Sequence, residues 1–347
     1  MNFSEPGVPP LALIQLLNSD VLDPPAVAHF RRLISRHGIS ETELVQGDRQ
    51  VPITWFRDVY PELNNETATL LGLAFAEHAQ LTSFGPLSLP LVSAGSVSEV
   101  FELLRFLPII SGALRPDFHH GRLGLTVGLT GHTGDTDLDC LVIAYAGAAL
   151  LRLLDVLTGG LPDVSLHMSW KAPRIPRNDA GLSAGRIVFE ANASFIDIPV
   201  DALQAPCRFP DPVAYRLAIT ELRRILERRS AAVTVTESVR RLLEENPGYG
   251  SHKVAERLGV STSTLKRRLE DERATFRDVR QSLLRERAII RLLDASLTTS
   301  QIAKELGYSD TANFSHAFKR WTGQSPSAFR QTGVAINEAK DGTSLLR

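Results

Sequence analysis

Apolar positions recur at helical spacing through most of the front of the chain. Leu11–Leu17 and Pro25–His37 read as helices, the second stopped at Gly38. Thr67–Thr82 carries Ala68, Leu71, Phe75 and Ala79 on one face. Ser96 opens a further helix. Glu99, three residues on, completes a capping box, and Val100, Phe101, Leu104 and Leu107 form the apolar face up to Pro108. The period then drops to two. Leu123, Leu125, Val127 and Leu129 alternate with small residues and predict a strand, followed by a Gly/Thr/Asp loop over Gly131–Asp139. Leu138–Leu157 is a long apolar helix stopped by Gly159 and Gly160. Val164–Trp170 predicts a strand, and Arg186–Phe189 with Ser194–Ile198 a hairpin around Ala191 and Asn192. Asp211–Ser230 returns to a helix, with Pro212 in its first turn and Val213, Leu217, Leu222, Ile225 and Leu226 as a stripe. Such a stripe either docks on its own domain or forms a seam with a second copy.

Beyond Val233 the pattern occurs twice. HKVAERLGVSTSTLKRRL (His252–Leu269) and SQIAKELGYSDTANFSHAFKRW (Ser300–Trp321) match at Ala255/Ala303, Leu258/Leu306, Gly259/Gly307 and Ser261/Ser309. The register then slips by one residue, pairing Leu265 with Phe314 and Leu269 with Phe318. Each copy is two short helices around a glycine turn, the grammar of a helix-turn-helix. A first helix is expected from a Thr236 cap to about Asn246, ended by Pro247 and Gly248. Gly250 and Ser251 open the next, Gly259 makes the turn, and Ser261 caps a recognition helix over Thr262–Glu270. Leu265 and Leu269 face in, so Ser263, Lys266 and Arg267 project outward beside Arg268. Phe276–Ala295 is a long connecting helix. Thr298 and Thr299 open the second motif, with Ile302, Ala303 and Leu306 inside, Gly307 at the turn and Ser309 as the expected cap. Thr311, Ala312, Ser315 and His316 face out, Lys319 and Arg320 follow, and Trp321, Gly323 and Pro326 lead into a last short helix. Arg or Lys at such positions reaches guanine O6/N7 or a phosphate.

Length and charge sharpen this division. At 347 residues the chain holds about two domains. The hydrophobic share of 43% and charged share of 22% are ordinary for a soluble globular protein. A net charge of −1 argues against a nucleic-acid binder until its distribution is considered. Val233–Thr332 carries 17 Lys/Arg against 12 Asp/Glu, whereas Met1–Ala232 carries 19 against 25. An acidic front and a basic back are expected when one domain alone meets phosphate. Two cysteines make no disulfide framework, and MNFSEPGVPP has neither the basic nor the apolar region of a signal peptide. The longest apolar run, Cys140–Leu151, falls short of the roughly 20 residues of a membrane span, so a cytoplasmic location is expected.

His119, His120, His132, Asp135, Asp137, Asp139 and Cys140 crowd into one stretch, but their spacing fits no ligand motif; a solvated turn is expected. No glycine-rich phosphate loop follows a strand, and no nucleophile elbow occurs. His78 is expected as a core histidine, and Trp55 and Trp170 as packing residues. No catalytic residue, metal or cofactor is therefore expected.

Over about residues 233–330 the chain resembles the DNA-binding domain of the AraC/XylS family of bacterial transcription regulators. The most specific stretch is IAKELGYSDTANFSHAFKRWTGQSPSAFR. In the front half, SVSEVFELLRFLPIIS and the region through IDIPVDALQAP resemble the N-terminal domain of the subgroup of ornithine-utilisation and virulence-type regulators. The resemblance implies an α+β N-terminal sensor domain followed by an all-α DNA-binding domain, its two helix-turn-helix units joined by a long helix. It also implies a small-molecule effector, promoter or operator DNA, RNA polymerase as a partner, and two recognition helices in successive major-groove segments. The expected parts are a disordered arm over 1–20, a sensor over 21–209, a helix and linker over 210–232, the DNA-binding domain over 233–332 and a tail over 333–347. Base readout is expected from Ser263, Lys266, Arg267, Thr311, Ser315 and His316, and phosphate positioning from Arg268, Lys319 and Arg320, with Ala312 also placed on the DNA-facing side. Three positions depart from the family pattern: Ser263 where a larger side chain is common, Arg273-Ala274 where glycine is usual, and His316 where arginine is frequent. A homodimer is a candidate assembly. The alternatives are an effector-independent architectural DNA binder and an enzyme domain fused to a DNA-binding module.

Overall fold

The computed structural model describes residues 6–46, 50–160, 163–174, 185–230 and 234–332. The expected linker residues 231–233 and the tail 333–347 lie outside the described residues. The chain divides into two units, Met1–Glu190 with Ser194–Glu227 and Ala191–Ala193 with Arg228–Arg347.

The first unit opens with β1 (Gly7–Val8), α1 (Pro10–Leu17), α2 (Pro24–Arg36), α3 (Glu41–Gln46), β2 (Val51–Pro52), α4 (Thr54–Val59) and α5 (Asn65–Glu77). After a 3-10 turn come α6 (Ser88–Ser93), α7 (Val97–Glu102), a second 3-10 turn, β3 (Leu114–His120), β4 (Gly124–Gly131) and α8 (Thr136–Thr158). It closes with β5 (Ser165–His167), β6 (Ile187–Val188), β7 (Phe195–Pro199), α9 (Val200–Leu203) and α10 (Pro212–Ser230). The larger sheet has the order β3-β4-β7-β5-β6.

α8 is the axis of this unit. By length and composition it would cross a membrane, yet it packs its apolar residues against α5 and the sheet and is mostly buried. The close approach of α5 depends on Gly72, where a Cβ would stand 2.6 Å from the Leu141 carbonyl oxygen and 3.0 Å from the Ala144 Cβ. Asp135 starts α8 by accepting the N–H groups of Asp137 and Leu138. Arg57 of α4 grips the same carboxylate with Nε at 2.9 Å and Nη2 at 2.8 Å, reaches Asp137 at 2.9 Å, and donates to the Leu63 carbonyl. Asp139 accepts from the Thr133 N–H and hydroxyl, and the Cys140 thiol donates to Asn65 Oδ1 at 2.9 Å. The acidic loop thus anchors a helix. Among the described residues no group of three potential metal ligands converges.

Several expectations are corrected. Residues of the supposed disordered arm from Pro6 onward are folded: β1 pairs antiparallel with β2, and Gly7 O accepts from Ser111 Oγ at 2.9 Å. Their few apolar residues suffice because the partners close over them. The helix expected over Thr67–Thr82 begins earlier, at an Asn64/Thr67 capping box, and ends at Glu77 with His78 as its C-cap. Glu99 turns its carboxylate to the Gly95 N–H rather than completing the box with Ser96. Strand β3 escaped notice because Arg115, Pro116 and Asp117 break its apolar alternation; as an edge strand it tolerates proline. Leu123 precedes β4 and is exposed. The expected hairpin does not form, since β4 and β5 occupy both edges of β7 and leave β6 to pair in parallel with β5. In α10 the expected stripe splits: Leu222 is buried with Tyr215, whereas Val213 and Leu217 lie exposed alongside Phe209. Trp55 is buried, and Trp170 donates to Thr69 Oγ1 at 2.8 Å, so both tryptophans serve packing.

The second unit comprises α11 (Val235–Glu245), α12 (Ser251–Arg257), α13 (Thr262–Asp271), α14 (Phe276–Leu293), α15 (Thr299–Glu305), α16 (Thr311–Thr322) and a last helix over 326–332. It has two cores. Val239, Leu243, Val254, Leu265 and Leu269 pack with Val279 and Leu283 of α14. Ile302, Leu306, Phe314 and Phe318 pack with Leu284, Ala288 and Leu292 of the same helix. Arg240 pairs with Glu286 between α11 and α14, and Arg291 with Glu305 at 2.7 Å between α14 and α15. The cap of α11 is Thr234, not Thr236, because Glu272 takes the N–H groups of Val235 and Thr236 at 2.7 Å each. Burial raises the Glu272 pKa, but these hydrogen bonds outweigh it and hold the group below its ordinary value.

The Arg57 clamp carries a pH signature. Burial pushes the Asp135 carboxyl up, but Arg57 and the two helix N–H groups hold it below its ordinary value. Asp135→Asn keeps a competent cap and loses the charge, so a cost of about 1 kcal/mol is expected. A depressed folded pKa stabilises above the unfolded value, roughly 3.9, and that contribution disappears as pH falls through the folded one. Urea unfolding of both proteins at neutral pH and in acid should show the gap closing in acid.

Candidate nucleic-acid interface

Both motifs are built from the turn outward. Gly259 and Gly307 adopt φ of 67° and 77°, the left-handed geometry that lets a helix end and reverse. Gly307 has a second reason to lack a side chain: a Cβ there would lie 3.2 Å from the Gly248 Cα. The turn of the second motif therefore sits on the turn that precedes α12 in the first.

After each turn a polar side chain starts the recognition helix. Ser261 caps α13, accepting the Thr264 N–H at 3.1 Å, where the sequence placed it. In the second motif the cap is Asp310, which accepts the Asn313 N–H at 2.7 Å, and not Ser309. The one-residue slip between the copies explains the change. The extra residue falls between glycine and helix, so the cap moves on by one. Asp310 is held below its ordinary pKa, first by the Asn313 N–H and then, against the opposing effect of desolvation, by Ser309, the Ala312 N–H and the Asn313 side chain.

Leu265 and Leu269 bury one face of α13. Ser263, Lys266, Arg267 and Arg268 are exposed on the remainder. Lys266 also reaches Glu270, one turn on, at 3.7 Å; this partner was not foreseen, and it offers Lys266 a competing contact. No carboxylate among the described residues lies within ion-pair distance of Arg267 or Arg268. In α16 the inner face is aromatic: Phe314 packs on Phe318, Phe318 edge-on against Phe329 at 5.5 Å, and Tyr308 edge-on against Phe314 at 5.6 Å. Ala312, His316, Lys319 and Arg320 are exposed, and Thr311 and Ser315 half-buried. The structure places these residues on two outward helix faces. Asn313, exposed in the first turn of α16, belongs with them and was overlooked. Its Nδ2 now donates to Asp310 at 2.6 Å, and its position next to Ala312 was the available signal.

The turn after α13 carries the departure at Arg273, which adopts φ 56°. A non-glycine residue there bears a steric cost that the following Thr275 cap and α14 impose on it.

Comparison with known proteins fits this geometry. The family described as "Arabinose-binding domain of AraC transcription regulator, N-term" matches residues 28–207, and the family "Helix-turn-helix domain" matches residues 254–332. The HTH-type transcriptional regulator VqsM of Pseudomonas aeruginosa is 25% identical over 280 residues, covering 75% of this chain and 83% of that protein. The ornithine utilization regulator of the same organism is 27% identical over 173 residues, 49% of this chain and 51% of that one. The crystal structure of the transcriptional regulator CdpR from Pseudomonas aeruginosa aligns with 90% of this chain and 100% of its own at 22% identity; its TM-score of 0.38 is too low to transfer any arrangement of parts.

Arg273→Gly should stabilise the second unit by about 0.5 kcal/mol, the relief of left-handed strain exceeding the added freedom of the unfolded chain. Arg273→Val should destabilise it by about 1 kcal/mol, since a branched side chain fits that backbone worst. Denaturant midpoints of the two variants provide the comparison.

Proposed function

The chain belongs to the AraC family of transcription regulators, and from that premise we propose that it binds one DNA sequence specifically through α13 and α16, under control of a small molecule held by the front unit. The observation that carries this reading is the doubled motif on a shared helix: two complete helix-turn-helix cores divide α14 between them. With α14 rigid, the two outward faces are offered together and suit successive segments of the major groove. Base readout falls to Ser263, Lys266, Arg267, Thr311, Ser315 and His316, and phosphate positioning to Arg268, Lys319 and Arg320. Control follows as a population shift, in which the effector favours one presentation of the two helices. The relatives are regulators by name, which supports a role without a chemical step.

A second copy would find Val213 and Leu217 exposed on α10, with Phe209 exposed just before the helix begins. We propose this stripe as the homodimer surface; Leu217→Lys should then shift sedimentation from dimer to monomer, and an unchanged profile removes the surface.

Lys266→Ala and Arg267→Ala should each cost about 1–3 kcal/mol on the preferred sequence, with relaxed discrimination. Arg268→Ala, Lys319→Ala and Arg320→Ala should weaken all sequences alike and lower the salt slope by about 1 each. The preferred sequence comes from genomic binding-site mapping, and salt-dependent titrations against it and a scrambled duplex measure both quantities. Equal losses on both duplexes for Lys266→Ala and Arg267→Ala would reassign those residues to phosphate.

A further inference from the structure

Glu272 stands at the wrong end of its own helix. It is the C-cap of α13, where unpaired carbonyl groups already make a negative end, and a carboxylate there is unfavourable. The backbone closes this helix end without the side chain. The Arg273 N–H donates to the Glu270 carbonyl and the Ala274 N–H to the Leu269 carbonyl, both at 2.9 Å. The Glu272 carboxylate is left to serve another helix.

That helix is α11. Glu272 Oε1 accepts the Val235 N–H and Oε2 the Thr236 N–H, at 2.7 Å each, across 37 and 36 positions of sequence. Thr234 Oγ1 takes the Glu237 N–H at 3.2 Å, and the Thr234 carbonyl takes that of Ser238. A negative charge on the positive end of α11 offsets what it costs at the end of α13. The contact also reaches the shared helix, since α11 packs Val239 and Leu243 on Val279 and Leu283 of α14. Within α13, Leu269 is the last buried residue, and Glu270, Asp271 and Glu272 after it are exposed. The last turn of the recognition helix is therefore held to α11 by the Glu272 carboxylate. Lys266 and Arg267 lie within about two turns of it. The second motif is built otherwise: α16 ends at Gly323, with φ 83° and no side chain to extend.

We propose that Glu272 is a positioning residue for sequence recognition, latching the end of α13 to the start of α11 and so fixing how Lys266 and Arg267 meet the bases. This inference rests on the reading of α13 as a DNA-recognition helix. Its effect is one-sided, reaching the half of the DNA site under α13 and sparing the half under α16. Both hydrogen bonds lie at the surface, so losing them loosens the helix end without opening either core.

Variants of the full chain test it. Glu272→Gln keeps the length of the side chain and one acceptor oxygen. Thr234→Ala removes the other cap of α11 and leaves the latch in place. On the duplex found by genomic mapping, base-pair changes that lose their effect in Lys266→Ala or Arg267→Ala mark the half read by α13. Glu272→Gln should lower discrimination in that half about fivefold and leave the other half unchanged. Thr234→Ala should lower the thermal midpoint by about 2–4 °C, at least as much as Glu272→Gln, and keep discrimination in both halves. Glu272→Asp, one methylene too short to reach both N–H groups, should repeat the one-sided loss with its charge intact. Hydrogen exchange, read without DNA, should quicken in the last turn of α13 for Glu272→Gln and not for Thr234→Ala. Full discrimination in folded Glu272→Gln, equal losses in both halves, or the same one-sided loss from Thr234→Ala overturns the proposal while wild-type recognition stands. A wild-type chain without sequence preference overturns the DNA reading and this inference with it.

Discussion

One helix serving two cores is the constraint on which the second unit depends. Val279 and Leu283 of α14 belong to the first core, and Leu284, Ala288 and Leu292 to the second. Adjacent residues Leu283 and Leu284 thus point into different cores, about 100° apart around the helix. Neither motif can bury its apolar surface without α14, and α14 cannot bury both faces without both motifs. Two Arg–Glu pairs, Arg240–Glu286 and Arg291–Glu305, tie α14 to a helix of each core. The contact of Gly307 with Gly248 leaves no room for the turns to slide.

Much of this was legible in the chain itself, because helix-turn-helix construction is local. Turn glycines, the Ser261 and Thr298 caps and the inward Leu/Phe positions are set within a few residues of one another, and periodicity reports them directly. The two misplaced caps share a cause. Thr236 loses its expected role to Thr234 because Glu272, distant in sequence, supplies acceptors to that helix end. Ser309 loses its role to Asp310 because one inserted residue changes the spacing after the glycine. The front unit was harder to read for the same physical reason on a larger scale. Its sheet joins β4, β7, β5 and β6 out of chain order, and strand adjacency of that kind leaves no mark in a local pattern. A small apolar cavity left among the four helices α1, α4, α5 and α8 and the two 3-10 turns had no sequence signal at all.

The histidine and acid cluster of the front unit shows how chemistry can be mistaken for function. Asp135, Asp137 and Asp139 are spent on a helix start, an arginine and a turn threonine. Strength of charge there fixes geometry. A polar site is conspicuous in a sequence, whereas an apolar one is indistinguishable from the rest of a core until the chain is folded.

The caps of the two recognition helices differ in kind: a neutral hydroxyl at Ser261 and a carboxylate at Asp310. The positive end of α13 stays available to an approaching anion, while that of α16 is already neutralised from within. Lys266, Arg267 and Arg268 reinforce the first difference, and the basic pair of α16 sits at its far end. A molecule with such unequal ends has a head and a tail. Set on a duplex, it marks a direction along the helix axis as well as a place, so that reversing a site relative to a neighbouring start point is a different instruction.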